Sequence, residues 1–113
     1  MNIQIFGTKK SADTRKAERY FKERGIKVQF VDLKEKGISK GELASVLRAA
    51  GPLENLLDPK TKDQEGLWLI RYMAEEDREA ALLEHPQVLM QPIVRNGKAA
   101  TAGYQPDIWK TWD

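Results

Sequence analysis

Ser11 and Arg15 stand four positions apart, with Lys9 and Lys10 just before them and Thr8 opening the run. The stretch Ile5-Phe6-Gly7-Thr8-Lys9-Lys10-Ser11-Ala12-Asp13-Thr14-Arg15-Lys16-Ala17 reads as a strand, a short basic turn and a helix start. A helix N-terminus offers unpaired N–H groups and a partial positive charge, so residue 11 occupies a place that stabilises an anion. A thiol set there, beside cations, would ionise well below its ordinary pKa of about 8.5. The chain has no cysteine. A serine hydroxyl starts many units higher and becomes a nucleophile only beside a general base. The single histidine, His85, lies at the far end of an acidic helical segment. Ser11 therefore reads as an N-cap, accepting a hydrogen bond from a free helix N–H. Lys10 and Arg15 can cradle an oxyanion together with those N–H groups, or Arg15 can pair with a surface carboxylate.

The elements that must position this turn follow from periodicity. Ile3 and Ile5 alternate with polar residues as a short first strand. The helix after the turn puts Ala17, Tyr20 and Phe21 on one face, pairs Glu18 with Lys22 at i,i+4, and stops at Gly25. Val28-Gln29-Phe30-Val31 is a second strand, and one intervening helix predicts a parallel, right-handed βαβ unit. Ser39 and Glu42 have capping-box spacing, with Ile38 and Leu43 as a hydrophobic staple. Leu43, Val46, Leu47 and Ala50 form that helix's apolar stripe, which Gly51-Pro52 ends. Asp58-Pro59 marks a turn, and Leu67, Trp68 and Ile70 read as a short helix packed on the body. Residues Glu75 to Glu84 form a helix, acidic at its start, ending before His85-Pro86, with His85 set to meet its terminal carbonyls.

The last third returns to strand. Pro92-Ile93-Val94-Arg95 and Lys98-Ala99-Ala100-Thr101 flank the hairpin signal Asn96-Gly97. A final helix opens near Pro106 and buries Ile108, Trp109 and Trp112. Trp68, Trp109 and Trp112 read as core or as a docking surface, with core preferred. The expected fold class is α/β, a mixed four-stranded sheet built from βαβ and ββα halves, with a helical insertion over about 38–86. Residues 1–113 are read as one domain.

This order resembles the thioredoxin-like proteins of the arsenate reductase (ArsC) and Spx family over essentially the whole chain. The marks are Gly7-Thr8-Lys9-Lys10-Ser11 leading into Asp13-Thr14-Arg15-Lys16-Ala17, and Gly25-Ile26. Later come Gln91-Pro92-Ile93-Val94-Arg95-Asn96-Gly97 and Thr101-Ala102-Gly103-Tyr104. The resemblance implies a Cys-x3-Arg pattern whose cysteine attacks arsenate, with glutathione and glutaredoxin completing the reduction. Ser11 stands at that cysteine, Arg15 matches the arginine, and Gln91 replaces the arginine of the family's Arg-Pro-Ile-Val motif. Two further arginines of well-studied reductases have no counterpart in the Leu56-Leu57-Asp58-Pro59 and Gly103-Tyr104 regions. Pro92 matches the proline that such folds hold in cis, which would present the Gln91 backbone to the Ser11 turn. Arsenate reductase ancestry without catalysis is the implied reading, and a cysteine at position 11 would restore a redox role through a mixed disulfide with glutathione. Spx-like relatives imply an alternative, a transcriptional regulator docking on the C-terminal domain of the RNA polymerase α-subunit. Passive recognition of glutathione or a small oxyanion is a third reading.

Composition bounds the remainder. At 113 residues, 41% hydrophobic and 32% charged, the chain is long enough to bury a core and too apolar for disorder. No apolar run approaches the roughly 18–20 residues that cross a bilayer, and the start lacks a secretory pattern. A cytoplasmic, monomeric protein is expected. A net charge of +2 gives no argument for nucleic-acid binding. Residues 1–56 hold 12 Lys/Arg against 7 Asp/Glu, and residues 57–113 hold 7 against 10, the excess lying partly in Lys9, Lys10, Arg15, Lys16 and Arg19 around the first turn. That excess reads as a solvated face or a local anion site. Asp58, Asp63 and Glu65 lack metal-ligand spacing, so no metal is predicted, and no bound cofactor either; glutathione enters only as a co-substrate.

Overall fold

In the computed structural model, which describes residues 1–112, four strands form one mixed sheet in the order β2-β1-β3-β4. Strand β1 (Ile3–Gly7) pairs in parallel with β2 (Val28–Asp32) and antiparallel with β3 (Ile93–Asn96), which pairs antiparallel with β4 (Ala99–Ala102). The βαβ and ββα halves thus meet along β1 and β3, and the sheet matches the expected fold class.

Period-two alternation sends neighbouring residues of β1 to opposite faces of the sheet. Ile3 and Ile5 face helix α1 (Ala12–Glu23) and the short α5 (Pro106–Trp109), where they pack with Ala17, Tyr20, Phe21, Val94 and Trp109. Trp109 anchors this side: Tyr20, Phe21 and Tyr104 surround its ring at centroid distances of 5.2–5.4 Å. Its indole N–H donates to Thr101 Oγ1 at 2.8 Å, so the buried polar atom is satisfied. Phe6 and Ile93 face the other way, into a larger core shared with Leu43 and Val46 of α2 (Lys40–Ala50). Leu67 and Ile70 of α3 (Gln64–Tyr72) and Leu82 of α4 (Glu75–Glu84) complete it. The capping box of α2 forms as its spacing predicts, with Glu42 N–H donating to Ser39 Oγ at 3.1 Å and Ser39 N–H to Glu42 Oε1 at 2.9 Å. The Gly51–Pro52 bond, at the end of α2, is cis.

Several expectations need correcting. Trp68 is not core but 60% exposed, because α3 turns Leu67 and Ile70 inward and leaves Trp68 on the opposite face. Ile108 is likewise exposed, α5 being a single turn that can bury only Trp109 fully. Trp112 is half-buried against the α1 side of the sheet. Glu18 reaches back to Lys9 Nζ at 2.8 Å instead of forward to Lys22. His85 caps α4 through its backbone N–H, while its ring lies 3.9 Å from Asp63 instead of on the terminal carbonyls. The β3–β4 corner is Gly97-Lys98, one residue later than the Asn-Gly signal suggests, since Asn96 pairs with Ala99. Gly97, at φ +60°, takes the first corner position, where the tight hairpin requires a left-handed residue.

Candidate functional site

Three chain segments converge where β1 ends. The first is the turn Thr8-Lys9-Lys10, closed by the Ser11 N–H bonding to the Thr8 carbonyl at 3.1 Å. Gly7 lets α1 approach, for a Cβ there would collide with Oγ1 of the fully buried Thr14. The second segment is Gln91-Pro92, joined by a cis bond and delivered beside the turn because β3 pairs with β1 at Phe6↔Ile93. The third is the Asp58–Lys60 turn of the insertion. Asp58 N–H bonds the Val88 carbonyl at 2.8 Å and Met90 N–H the Leu56 carbonyl at 2.7 Å, which holds this turn next to Gln91.

Ser11 is half-buried and takes the N-cap position of α1, its Oγ accepting from Thr14 N–H at 3.2 Å. Thr14 N–H is its one side-chain hydrogen-bond partner among the described residues, so no base is hydrogen-bonded to the hydroxyl there. The Gln91–Pro92 bond is cis, as the resemblance implies, and the Gln91 side chain bonds the turn directly. Its Oε1 accepts from Thr8 N–H at 2.8 Å, Thr8 Oγ1 at 3.1 Å and Thr14 Oγ1 at 3.3 Å. Convergent N–H and O–H donors of this kind form an anion-binding concavity. Here a neutral amide oxygen of the same chain fills it.

The two cations read as an oxyanion cradle stand on the outer side of the turn. Arg15 is exposed, and its guanidinium donates to the Lys9 carbonyl at 2.6 Å, pinning the turn from outside. Lys10 is exposed, and neither residue lines the groove beside Ser11. Lys9 is held between Glu18 and the face of Phe30, 4.3 Å from the ring centroid. The basic excess counted around the first turn is therefore partly neutralised by its own neighbours.

Beside Ser11 lies a groove of about 520 Å³ lined by Ala12, Asp13, Asp58, Lys60 and Gln91 among others. It shares Asp58, Lys60, Gln87 and Gln91 with a neighbouring groove of about 740 Å³, which extends past Thr8 to Lys34 and Lys62. Lys34, Lys60 and Lys62 supply the positive charge here, and sequence reasoning missed them. Their signal is faint: two lysines alternating in Pro59-Lys60-Thr61-Lys62 just after an Asp-Pro turn. Asp63 closes the wall. Its carboxylate accepts from Gly66 N–H at 2.9 Å, capping α3, and from the Gln87 side-chain amide. Those bonds, the Gly66 N–H first and Gln87 next, with a smaller contribution from His85, hold its pKa below the ordinary value of 3.8. Among the described residues no group of three or more His, Asp or Glu is placed to hold a metal ion, and no helix is long and apolar enough to cross a membrane.

No protein-family model and no curated protein sequence matches the chain. Solved structures do. An ArsC family related protein from Bacteroides fragilis superposes with a TM-score of 0.87 at 17% identity, over 100% of this chain and 98% of that one. An arsenate reductase from Vibrio cholerae gives 0.81 at 22% identity, covering 96% and 94%. An arsenate reductase (ArsC) related protein from Brucella melitensis gives 0.63 at 22%, covering 99% and 94%. With its four-stranded mixed sheet and helical insertion, the chain has the thioredoxin-like fold of solved ArsC-type arsenate reductases.

Proposed function

We propose that this protein is an ArsC-type relative that binds a small anionic ligand of the glutathione class and does not reduce arsenate. The observation that carries the reading is the state of the turn. Ser11 Oγ is engaged as a cap, Gln91 Oε1 takes the Thr8 N–H and the hydroxyls of Thr8 and Thr14, and Arg15 is bonded to the Lys9 carbonyl. A hydroxyl that no base accepts a hydrogen bond from is not activated to replace a thiolate in attacking arsenate. Recognition needs less. The Ser11 groove and its neighbour have the size of ordinary small-molecule sites, roughly 300–1,000 Å³. Lys34, Lys60 and Lys62 suit the carboxylates of a peptide such as glutathione.

Calorimetry with reduced glutathione, phosphate and arsenate tests binding, and an arsenate assay with glutathione and glutaredoxin tests turnover. The expected results are glutathione binding weakened by Lys60→Ala and no detectable arsenate reduction. Turnover by the native chain, or glutathione affinity indifferent to Lys60, would overturn the proposal.

A second reading, an Spx-like regulator docking on the C-terminal domain of the RNA polymerase α-subunit, draws on the same inactive turn, because docking needs surface instead of a nucleophile. With no cysteine in the chain, such regulation would not run through an internal disulfide. An NMR titration with that domain that leaves every amide shift unchanged removes it.

A further inference from the structure

Helix α3 has two apolar faces, and only one is buried. Leu67 and Ile70 enter the core, while Trp68, Leu69 and Tyr72 are 60%, 42% and 72% exposed. Trp68 and Tyr72, at i and i+4, hold their rings against each other with centroids 5.0 Å apart. Aromatic pairs so exposed mark interaction surfaces more often than chance placement.

The charge around the pair is predominantly acidic. Glu65 lies one turn before Trp68 on the same face, and Glu75 and Glu76 open α4 three and four residues after Tyr72; all three are exposed. Of the two nearby cations, Arg71 is neutralised by a carboxylate and Arg78 keeps its charge against backbone carbonyls, which leaves the glutamates in excess. Arg71 donates to Glu54 Oε2 at 3.1 and 2.7 Å and to Oε1 at 3.3 Å. Arg78 donates to the carbonyls of Arg71 and Met73 at 3.0 and 3.2 Å.

We infer that this face docks a basic amphipathic segment of another protein. Its apolar residues would cover Leu69 and the ring edges, a Lys or Arg would lie over Trp68 or Tyr72, and further cations would face Glu65, Glu75 and Glu76. The same acidic frame argues against the other occupants. A second copy packed face to face would set Glu75 and Glu76 near like charges, and an anionic membrane surface would be repelled. The inference is independent of the Ser11 turn.

The test titrates the full chain with a synthetic Leu/Lys amphipathic helix and with its Leu/Glu counterpart, at low and high salt. Trp68→Ala and Glu75→Lys/Glu76→Lys alter exposed side chains only, and circular dichroism checks that both variants fold. The Leu/Lys peptide should bind more weakly at high salt, and each variant should lose affinity by about fivefold or more. The Leu/Glu peptide should not bind, and the chain alone should sediment as a monomer. Equal binding of both peptides, or affinity unchanged in Trp68→Ala, would overturn the inference. So would dimerisation, or adsorption to anionic phosphatidylserine vesicles, that Trp68→Ala abolishes.

Discussion

The side-chain oxygen of Gln91 lies 2.8 Å from the backbone nitrogen of Thr8, joining residues 83 positions apart. The same oxygen meets the hydroxyls of Thr8 and Thr14. An amide oxygen has the acceptor geometry of an anion without its charge, so it satisfies this turn and leaves a small oxyanion little to gain there.

Gln91→Ala separates those two roles. The partly buried Thr8 N–H loses its acceptor, a loss of about 1–3 kcal/mol, so the melting temperature should fall. The vacated donors should then take phosphate or arsenate more tightly than in the native chain. Thermal unfolding with and without phosphate reads both effects, and a variant as stable as the native chain, with no gain in phosphate affinity, would contradict the assignment.

Gly7→Ala tests the close approach of α1 to β1. The added Cβ would overlap Oγ1 and Cγ2 of Thr14, which is fully buried and so has little room to move. Overpacking of this kind costs roughly 1–3 kcal/mol. Combining Gly7→Ala with Thr14→Ala removes the two closest contacts and leaves the residue-14 Cβ at 3.2 Å, so the double variant should be more stable than the sum of the single losses implies. Denaturant unfolding of the four proteins measures that coupling, and strict additivity would place the strain elsewhere.

Asp63 gives the groove wall a pH signature. Its folded pKa is depressed, so the charged form stabilises the fold at pH values above its unfolded pKa of about 4. That contribution is lost as pH falls through the folded value, where the carboxyl becomes neutral in both states. In Asp63→Asn it is missing throughout. The gap in melting temperature between native protein and variant should be widest near neutrality and close below pH ~4. A gap independent of pH would mean that the carboxylate charge is not what Gly66 and Gln87 stabilise.

What the sequence disclosed is what short-range chemistry encodes. Ser39 and Glu42 sit three residues apart, and their capping box could be read directly from that spacing. The order of strands and helices led to the mixed sheet because one helix between β1 and β2 leaves a parallel pairing as the natural geometry. Ser11 as an N-cap was legible for the same local reason. Trp68 was not, since apolar character does not say which face of a helix meets the core when both carry apolar residues. The partners of Gln91 lie 77 and 83 positions away and exist only once β3 has paired with β1. Lys60 and Lys62 were hidden similarly, their insertion being held next to the Ser11 turn by the Leu57↔Leu89 bridge and its flanking hydrogen bonds.

A thiol placed at position 11 would report the field of this turn most directly. In Ser11→Cys the helix start should depress the thiol pKa clearly below about 8.5. The thiolate should attack oxidised glutathione, forming a mixed disulfide and releasing one reduced glutathione, while the native chain forms no adduct. The pH dependence of alkylation, with intact mass after glutathione treatment, reports both. A thiol titrating at or above the ordinary value, or one that forms no adduct, would contradict the assignment of residue 11 to the reactive seat of this fold.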